Sequence, residues 1–184
     1  MAKKAKGKKW FTIVAPKMFN ERELAKTMAA EPDLLVNRRI AVSMINLTND
    51  FSKYHMKFFF RIKKVDGDVA FTDFDGSDCL KDYISRMVLR RVRRIDTVQD
   101  LKTKDGKKIR VKGLTVVSRR IKSDVKKAIR RSVMEIIKKE VEGSTLEEFI
   151  QKIISDELKK KILRDSRKIY PVRKFEVRKT EVIS

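Results

Sequence analysis

Apolar and polar positions alternate with a period of two along several stretches of the chain, as half-buried strands require. From Arg39 onward, Ile40, Val42 and Met44 alternate with small or polar residues; from Met56 onward, Met56, Phe58, Phe60 and Ile62 alternate with Lys57, Phe59 and Arg61. Asp66-Gly67 then separates Ile62-Lys63-Lys64-Val65 from Val69-Ala70-Phe71-Thr72. A glycine free to take positive φ between two such runs is a tight-turn signal, so residues 57–65 and 68–74 are predicted to form a hairpin. The same logic predicts a second hairpin, Ile95 to Thr103 and Ile109 to Val117 around Asp105-Gly106, with Val111 and Val116 as apolar anchors.

Each hairpin is followed by apolar residues at three- and four-residue spacing, which is the period of a helix with one buried face. After Ser77-Asp78 the set is Leu80, Tyr83, Ile84, Met87 and Val88, running to about Arg91. After Ser123-Asp124 it is Val125, Ala128, Ile129, Val133, Ile136 and Ile137, running to about Glu142. Both Ser-Asp pairs suit the free amides of a first turn. Gly143 is predicted as a left-handed cap, and Thr145 with Glu148 forms a capping-box pattern for a third helix. That helix carries Leu146, Phe149, Ile150, Ile153, Ile154 and Leu158 and is predicted to end near Leu163. Ile169 to Val182 reads as a strand with Pro171 at its edge or start. The order hairpin-helix, hairpin-helix, helix, strand reads as a structural pseudo-repeat. The fold class expected is α+β, with β-hairpins forming a barrel-like sheet and amphipathic helices packed on it.

Composition adds a constraint that patterning does not. The 184 residues carry 47 Lys and Arg against 25 Asp and Glu, a formal charge of +22 with a pI near 10.2. That excess is far beyond what solubility asks for. The 41% apolar content, including ten Phe, is enough for a real core, so the charge belongs to a folded protein. No apolar run approaches the roughly 18 to 20 residues of a spanning helix. Trp10 to Ala15 stops at Pro16 and is too short for a secretory signal. The single cysteine, Cys79, allows no internal disulfide and no cysteine cluster for zinc, which fits a reducing compartment and a cytoplasmic protein. Residues 1–9 hold five Lys with almost nothing to bury, so residues 1–20 are expected to form a basic arm ahead of a single α+β domain over 21–184. Two lobes meeting near 92–122 are the alternative division. Residues 1–92 hold 19 basic and 11 acidic groups and residues 93–184 hold 28 and 14, so the positive field leans toward the second half.

Few residues offer catalytic chemistry. His55 is the one histidine, which leaves no histidine-rich metal site and reads as a structural or partner-contacting residue. Cys79 sits at a predicted helix N-terminus that could lower a thiol pKa, but Asp78 and Asp82 oppose that effect. The acidic cluster Asp66, Asp68, Asp73, Asp75, Asp78 and Asp82 superficially matches a calcium loop from Asp73 on. The glycine falls at the fourth position, however, and Ile84 stands where a bidentate Glu belongs. Asp73, Asp75 and Asp78 could bind Mg²⁺ as in a two-metal nuclease, although turn chemistry and helix capping explain the same residues. The six glycines form no phosphate-cradling run.

The basic residues are informative by arrangement. Lys127, Arg131 and Lys138, with Met134 between them, lie at helical spacing opposite the apolar face, flanked by Lys126 and Arg130. Arg86, Arg90, Arg91, Arg93 and Arg94 follow the first helix, and Lys107, Lys108, Arg110 and Lys112 lead into Arg119, Arg120 and Lys122. A further run from Lys159 through Lys160, Lys161, Arg164, Arg167, Lys168, Arg173 and Lys174 to Arg178 and Lys179 covers the last third. Singly each reads as a solvated charge; together they repel one another unless a polyanion offsets them. Nucleic acid is favoured over a membrane surface. RNA is favoured over duplex DNA, because dispersed patches suit a folded RNA and no major-groove reading motif is present.

Whole motifs support this reading. Trp10-Phe11-Thr12-Ile13-Val14-Ala15-Pro16-Lys17-Met18-Phe19-Asn20, Asp50-Phe51-Ser52-Lys53, Gly76-Ser77-Asp78 with Asp82-Tyr83-Ile84 and Arg90-Arg91, and Lys168-Ile169-Tyr170-Pro171-Val172-Arg173 resemble, in order over nearly the whole chain, the three-A-e family of archaeal and eukaryotic small-subunit ribosomal proteins. The chain is shorter than eukaryotic members and therefore looks archaeal. The resemblance implies a barrel-like part with helices against it. It also implies a structural, non-enzymatic ribosomal protein bound to small-subunit rRNA at the platform near the mRNA exit. Its expected partners are that rRNA and neighbouring platform proteins, with mRNA or initiation factors in passing. No cofactor, metal, small-molecule substrate or membrane is expected. The rRNA contacts it implies are Lys8, Lys9, Trp10, Lys17 and Asn20 of the opening, Lys53, the pair Arg90 and Arg91, and Lys168 with Arg173. For Trp10, core packing and base stacking stand equal. The patterned clusters add Arg93, Arg94, Lys107, Lys108, Arg119, Arg120, Lys127, Arg131, Lys138, Arg167 and Lys174. A free RNA chaperone or regulator and a metal-dependent nuclease are the rival readings.

Overall fold

The structure is a computed structural model and describes residues 7–183. The chain divides into two compact units between Gly76 and Ser77. This division lies ahead of residues 92–122, which are instead taken up mainly by a hairpin and the start of a helix within the second unit.

The first unit holds strands β1 (Lys9–Val14), β2 (Glu23–Ala29), β3 (Arg39–Ser43) and β4 (Met56–Asp66), a short helix α1 (Met44–Thr48), and most of β5 (Val69–Cys79). β1 pairs antiparallel with β2, placing Trp10 opposite Met28 and Phe11 opposite Thr27, and parallel with β5, placing Ile13 opposite Ala70. β3 pairs antiparallel with β4, and β4 with β5, so the order is β2-β1-β5-β4-β3. Alternation decides which side chains enter the core: Phe11, Ile13, Ala29, Leu35, Ile62 and Ala70 form one buried cluster. Phe58 and Phe60 of β4 meet Phe19 and Phe74 edge-to-face, with ring centroids 5.5 to 6.4 Å apart. The predicted hairpin turns at Gly67, with φ +57°. Within the segment read as an arm, residues 9–14 are a strand because Phe11 and Ile13 supply two of the core side chains. Residues 1–6 of that segment lie outside the described residues.

The second unit holds α2 (Lys81–Met87), the hairpin β6 (Arg93–Lys102) and β7 (Lys108–Val117), helices α3 (Ser123–Glu142), α4 (Leu146–Ile154) and α5 (Glu157–Ser166), and β8 (Lys174–Ile183). β7 is the middle strand, antiparallel to both β6 and β8. Gly106 closes the β6-β7 turn at φ +78°, as the Asp-Gly signal predicts. α2 buries Ile84 and Met87 with Cys79, Leu114 and Val116. α3 lies along β6, and α4 and α5 pack against it. Among the described residues β2 and β3 of the first unit and β6 of the second each have one strand partner, so neither unit's strands close into a barrel.

Several local expectations change. The first helix starts at Lys81, because Ser77 and Asp78 extend β5: the Ser77 amide and hydroxyl bond Thr180 Oγ1 at 3.0 and 2.8 Å. Ser123 is the first residue of α3, which has no side-chain cap. Gly143 ends α3 in a right-handed conformation, φ −84°. A side chain there would sit 3.0 Å from the Lys139 carbonyl, so closeness rather than handedness calls for glycine. The capping box at Thr145 and Glu148 is present. The third helix is two helices, broken at Ser155-Asp156, where Asp156 takes φ +60°. The last strand starts at Lys174, because the Ile169 and Tyr170 amides are still held by the Ser166 carbonyl at the end of α5.

Candidate nucleic-acid interface

α3, the longest helix of the second unit, carries a basic face. Ile129, Val133, Ile137 and Val141 recur every four residues and are buried, which fixes the helix rotation. Lys127, Arg131 and Lys138 are then exposed on the opposite side. Two bonds to β6 hold the helix in place: Arg130 Nε donates to the Asp96 carbonyl at 3.2 Å, and Gln99 Nε2 donates to the Met134 carbonyl at 3.2 Å. Between them runs a groove of about 420 Å³, floored by Met134 and walled by Lys127, Arg130, Arg131, Lys138 and Gln99. Glu135 and Glu142 are the acidic side chains nearest the stripe, and the Lys138–Glu142 pair at 3.8 Å is exposed and weak. Arg130 and Gln99 were not singled out as site residues, because their roles depend on how α3 meets β6.

Strand register gathers other expected residues at one end of the β6-β7-β8 sheet. Arg93 pairs with Val117 and Arg94 with Val116, Lys174 also pairs with Val116, and the Arg173 amide bonds the Val116 carbonyl at 2.9 Å. Arg119 and Arg120 leave that end directly after β7, and α3 begins there. Arg90 and Arg91 precede β6, with Arg91 at φ +70°. All of these are exposed except Arg94, which is half-buried and held bidentate by Asp96 at 2.7 to 2.9 Å. Lys107 and Lys108 lie at the opposite end of the hairpin, about 30 Å away at the rise of an extended strand. Arg167 and Lys168 are exposed just after α5, and Lys168 lies 3.8 Å from Asp165.

In the first unit, Lys8, Lys9, Trp10, Lys17 and Asn20 are exposed. Trp10 is 60% exposed beside Met28, so it is not core. Asn20 takes φ +57° and caps a 3-10 turn through its amide to the Lys17 carbonyl, which gives it a backbone role as well. Lys53 departs from the expectation. It is 7% exposed, at the end of a 3-10 turn, Phe51–Lys53, that Asp50 caps through the Ser52 amide at 2.9 Å. A lysine so enclosed is not presented to a phosphate.

Two carboxylates of the acidic cluster are paired within the first unit's sheet. Asp75 is bound by Arg39 at 2.6 Å and Arg61 at 3.0 Å, and Asp73 by Lys63 at 2.7 Å. Among the described residues no group of carboxylates, histidine and cysteine could hold a metal ion. Burial pushes the Cys79 thiol up to about 12, with Glu176 and Asp78 adding to the shift, which leaves it unreactive. No described helix is long and apolar enough to cross a membrane.

The sequence matches the model of the Ribosomal S3Ae family over residues 1–184. It is 38% identical to small ribosomal subunit protein eS1 of Methanopyrus kandleri, over 98% of this chain and 87% of that protein. It is 39% identical to the protein of the same name in Sulfurisphaera tokodaii, over 98% of this chain and 93% of that one. For the Methanothrix thermoacetophila protein the figures are 37% identity, 100% and 87%. All three organisms are archaea.

Proposed function

The chain belongs to the Ribosomal S3Ae family, and from that premise we propose that it is a structural, non-catalytic protein of the small ribosomal subunit that binds rRNA at the platform near the mRNA exit. Its place is then the ribosome in the cytoplasm, beside neighbouring platform proteins. The observation that carries rRNA binding is the convergence of Arg93, Arg119, Arg120, Arg173 and Lys174 at the end of the sheet from which α3, with its stripe of Lys127, Arg131 and Lys138, departs. Cations held together on a folded surface neutralise a phosphate backbone and release its counterions. Arginine adds forked hydrogen bonds that a lysine cannot make. The hydrophobic core of the unit keeps these charges at fixed separations, so the patch fits one folded RNA surface better than an extended strand.

The test is sedimentation of the purified chain with small subunits through a gradient, combined with binding to a transcript of the small-subunit rRNA platform region across a salt series. Co-sedimentation and a log-log slope of magnitude about 0.7 to 0.9 per phosphate engaged are expected. Replacing Lys127, Arg131 and Lys138 by Ala should lower the slope and the affinity while leaving stability within about 1 kcal/mol, since all three are exposed. Equal affinity for any RNA with no co-sedimentation would leave a free RNA chaperone as the better reading, and a flat salt response would contradict phosphate neutralisation as the mechanism.

A further inference from the structure

A second cationic feature lies on the other face of the same sheet, outside the residues assigned above apart from Arg94. A recess of about 430 Å³ opens between α2 and the sheet, lined by Lys81 and Ile84 of α2, Arg94 of β6, Lys112 of β7, and Arg178 and Lys179 of β8. Asp78 is the one carboxylate on its wall.

The backbone is specially shaped to make it. Consecutive side chains of a regular strand point to opposite faces, so Arg178 and Lys179 could not both line one recess. The register of β7 with β8 slips here: Lys112 pairs with Lys179 and Gly113 with Val177, leaving Arg178 as the extra residue of a β-bulge. Gly113 sits opposite the bulge, where an added Cβ would come within 2.6 Å of Thr97 Oγ1 and 3.1 Å of the Phe175 ring. The bulge turns two adjacent cations to one side and sets Lys179 directly across from Lys112, an arrangement that costs stability unless something negative lies between them. Glu181 supplies part of that: both Lys112, at 3.1 Å, and Lys179 bind it. Asp96 holds Arg94. Lys81 and Arg178 are in no ion pair among the described residues.

We propose that this recess is a binding site for a phosphate group, closed by Lys81 and Arg178 over a cationic wall of Lys112 and Lys179. Arg178 supplies the planar fork that grips two phosphate oxygens, and the lysines supply point charge. On the ribosomal reading the ligand is a phosphodiester of rRNA; a free phosphate compound would be held by the same chemistry, and two arms of one experiment separate the sources. In the first arm, the amide resonances of the full chain are followed during titration with inorganic phosphate. Shifts that saturate and centre on residues 81–84 and 178–179, and that vanish in the K81Q/R178Q variant, are expected. In the second arm, binding to the rRNA transcript is measured across salt for wild type and variant, with R178K as a charge-keeping control and circular dichroism as the check on folding. Loss of that one phosphate contact lowers the slope magnitude by about 0.7 to 0.9, and the control recovers most of it.

Phosphate shifts with an unchanged RNA slope would assign the recess to a free phosphate compound. Absence of both effects overturns the proposal. A wild-type chain that ignores the transcript would count against the ribosomal reading alone, since the phosphate titration still tests the recess.

Discussion

Glu140 shows how one carboxylate can hold three helices together in a chain with this much positive charge. It lies on α3 and receives Lys152 of α4 at 2.7 Å and Lys161 of α5, with its own side chain 13% exposed. Hydrogen bonds from the two ammonium groups hold its pKa below the usual carboxylate value, against the opposing effect of burial. A depressed folded-state pKa means that its contribution is present above the unfolded value of about 4.3 and is lost as pH falls through the folded value. Glu140→Gln should therefore cost about 1 to 2 kcal/mol at pH 7, and its stability should fall less than that of wild type between pH 5 and 3. Denaturant titrations at the three pH values check this; parallel curves would mean that Glu140 carries no pH-dependent stability. Cys79 makes the opposite kind of case. A thiol pushed up to about 12 and 4% exposed should react with a disulfide reagent at pH 8 at least about a hundredfold slower in the native chain than in denaturant. Equal rates would place the thiol in solvent.

At the scale of elements, the sequence was most legible where a signal is local. Both Asp-Gly hairpins, α3 and the Thr145–Glu148 capping box each depend on residues within a few positions of one another, and each is present. The capping box stabilises α4 through the Glu148 amide at 3.3 Å and the Thr145 amide at 3.0 Å. Thr145→Ala should accordingly lower the melting free energy by about 1 kcal/mol, measured by calorimetry, while a loss near zero would show that packing of Leu146 and Phe149 alone fixes the helix start. What stayed hidden depends on distant partners. β1 needs β2 on one side and β5 on the other before Trp10–Val14 reads as a strand. Ser77 belongs to β5 because Thr180 claims its amide, and the bulge at Arg178 exists only in the register of β7 with β8. The candidate interface divides the same way. Composition and spacing marked the cationic clusters, but strand register decided that Arg93, Arg119, Arg173 and Lys174 share one end of the sheet while Lys107 and Lys108 do not. Nothing local to Asp50-Phe51-Ser52-Lys53 signals that its lysine turns inward.

For the whole molecule the governing quantity is the net charge of +22. Several of its ion pairs are exposed on both sides, such as Lys63 with Asp73 at 74% and 53% exposure, and pairs of that kind contribute about 0 to 1 kcal/mol each. Salt weakens them, which taken alone would destabilise the protein on going from dilute buffer to physiological ionic strength. Salt also screens the mutual repulsion of the unpaired cations, and here the two effects differ in reach. An ion pair acts over about 3 to 4 Å, where screening is slight, whereas the clusters repel across the molecule. At those distances a Debye length falling from about 30 Å at 0.01 M to about 8 Å at 0.15 M removes most of the interaction. Folding brings the cations closer together than they are in the extended chain, so relief of repulsion favours the native state by several kcal/mol as an order of magnitude. The melting temperature of the free chain should therefore rise by several degrees between 0.01 and 0.15 M NaCl. A polyanion such as the rRNA transcript, which concentrates negative charge on the clusters themselves, should raise it further at low salt. A melting temperature that fell with added salt would mean that the local pairs outweigh the long-range field, and the cationic surface would then need no partner to be tolerated.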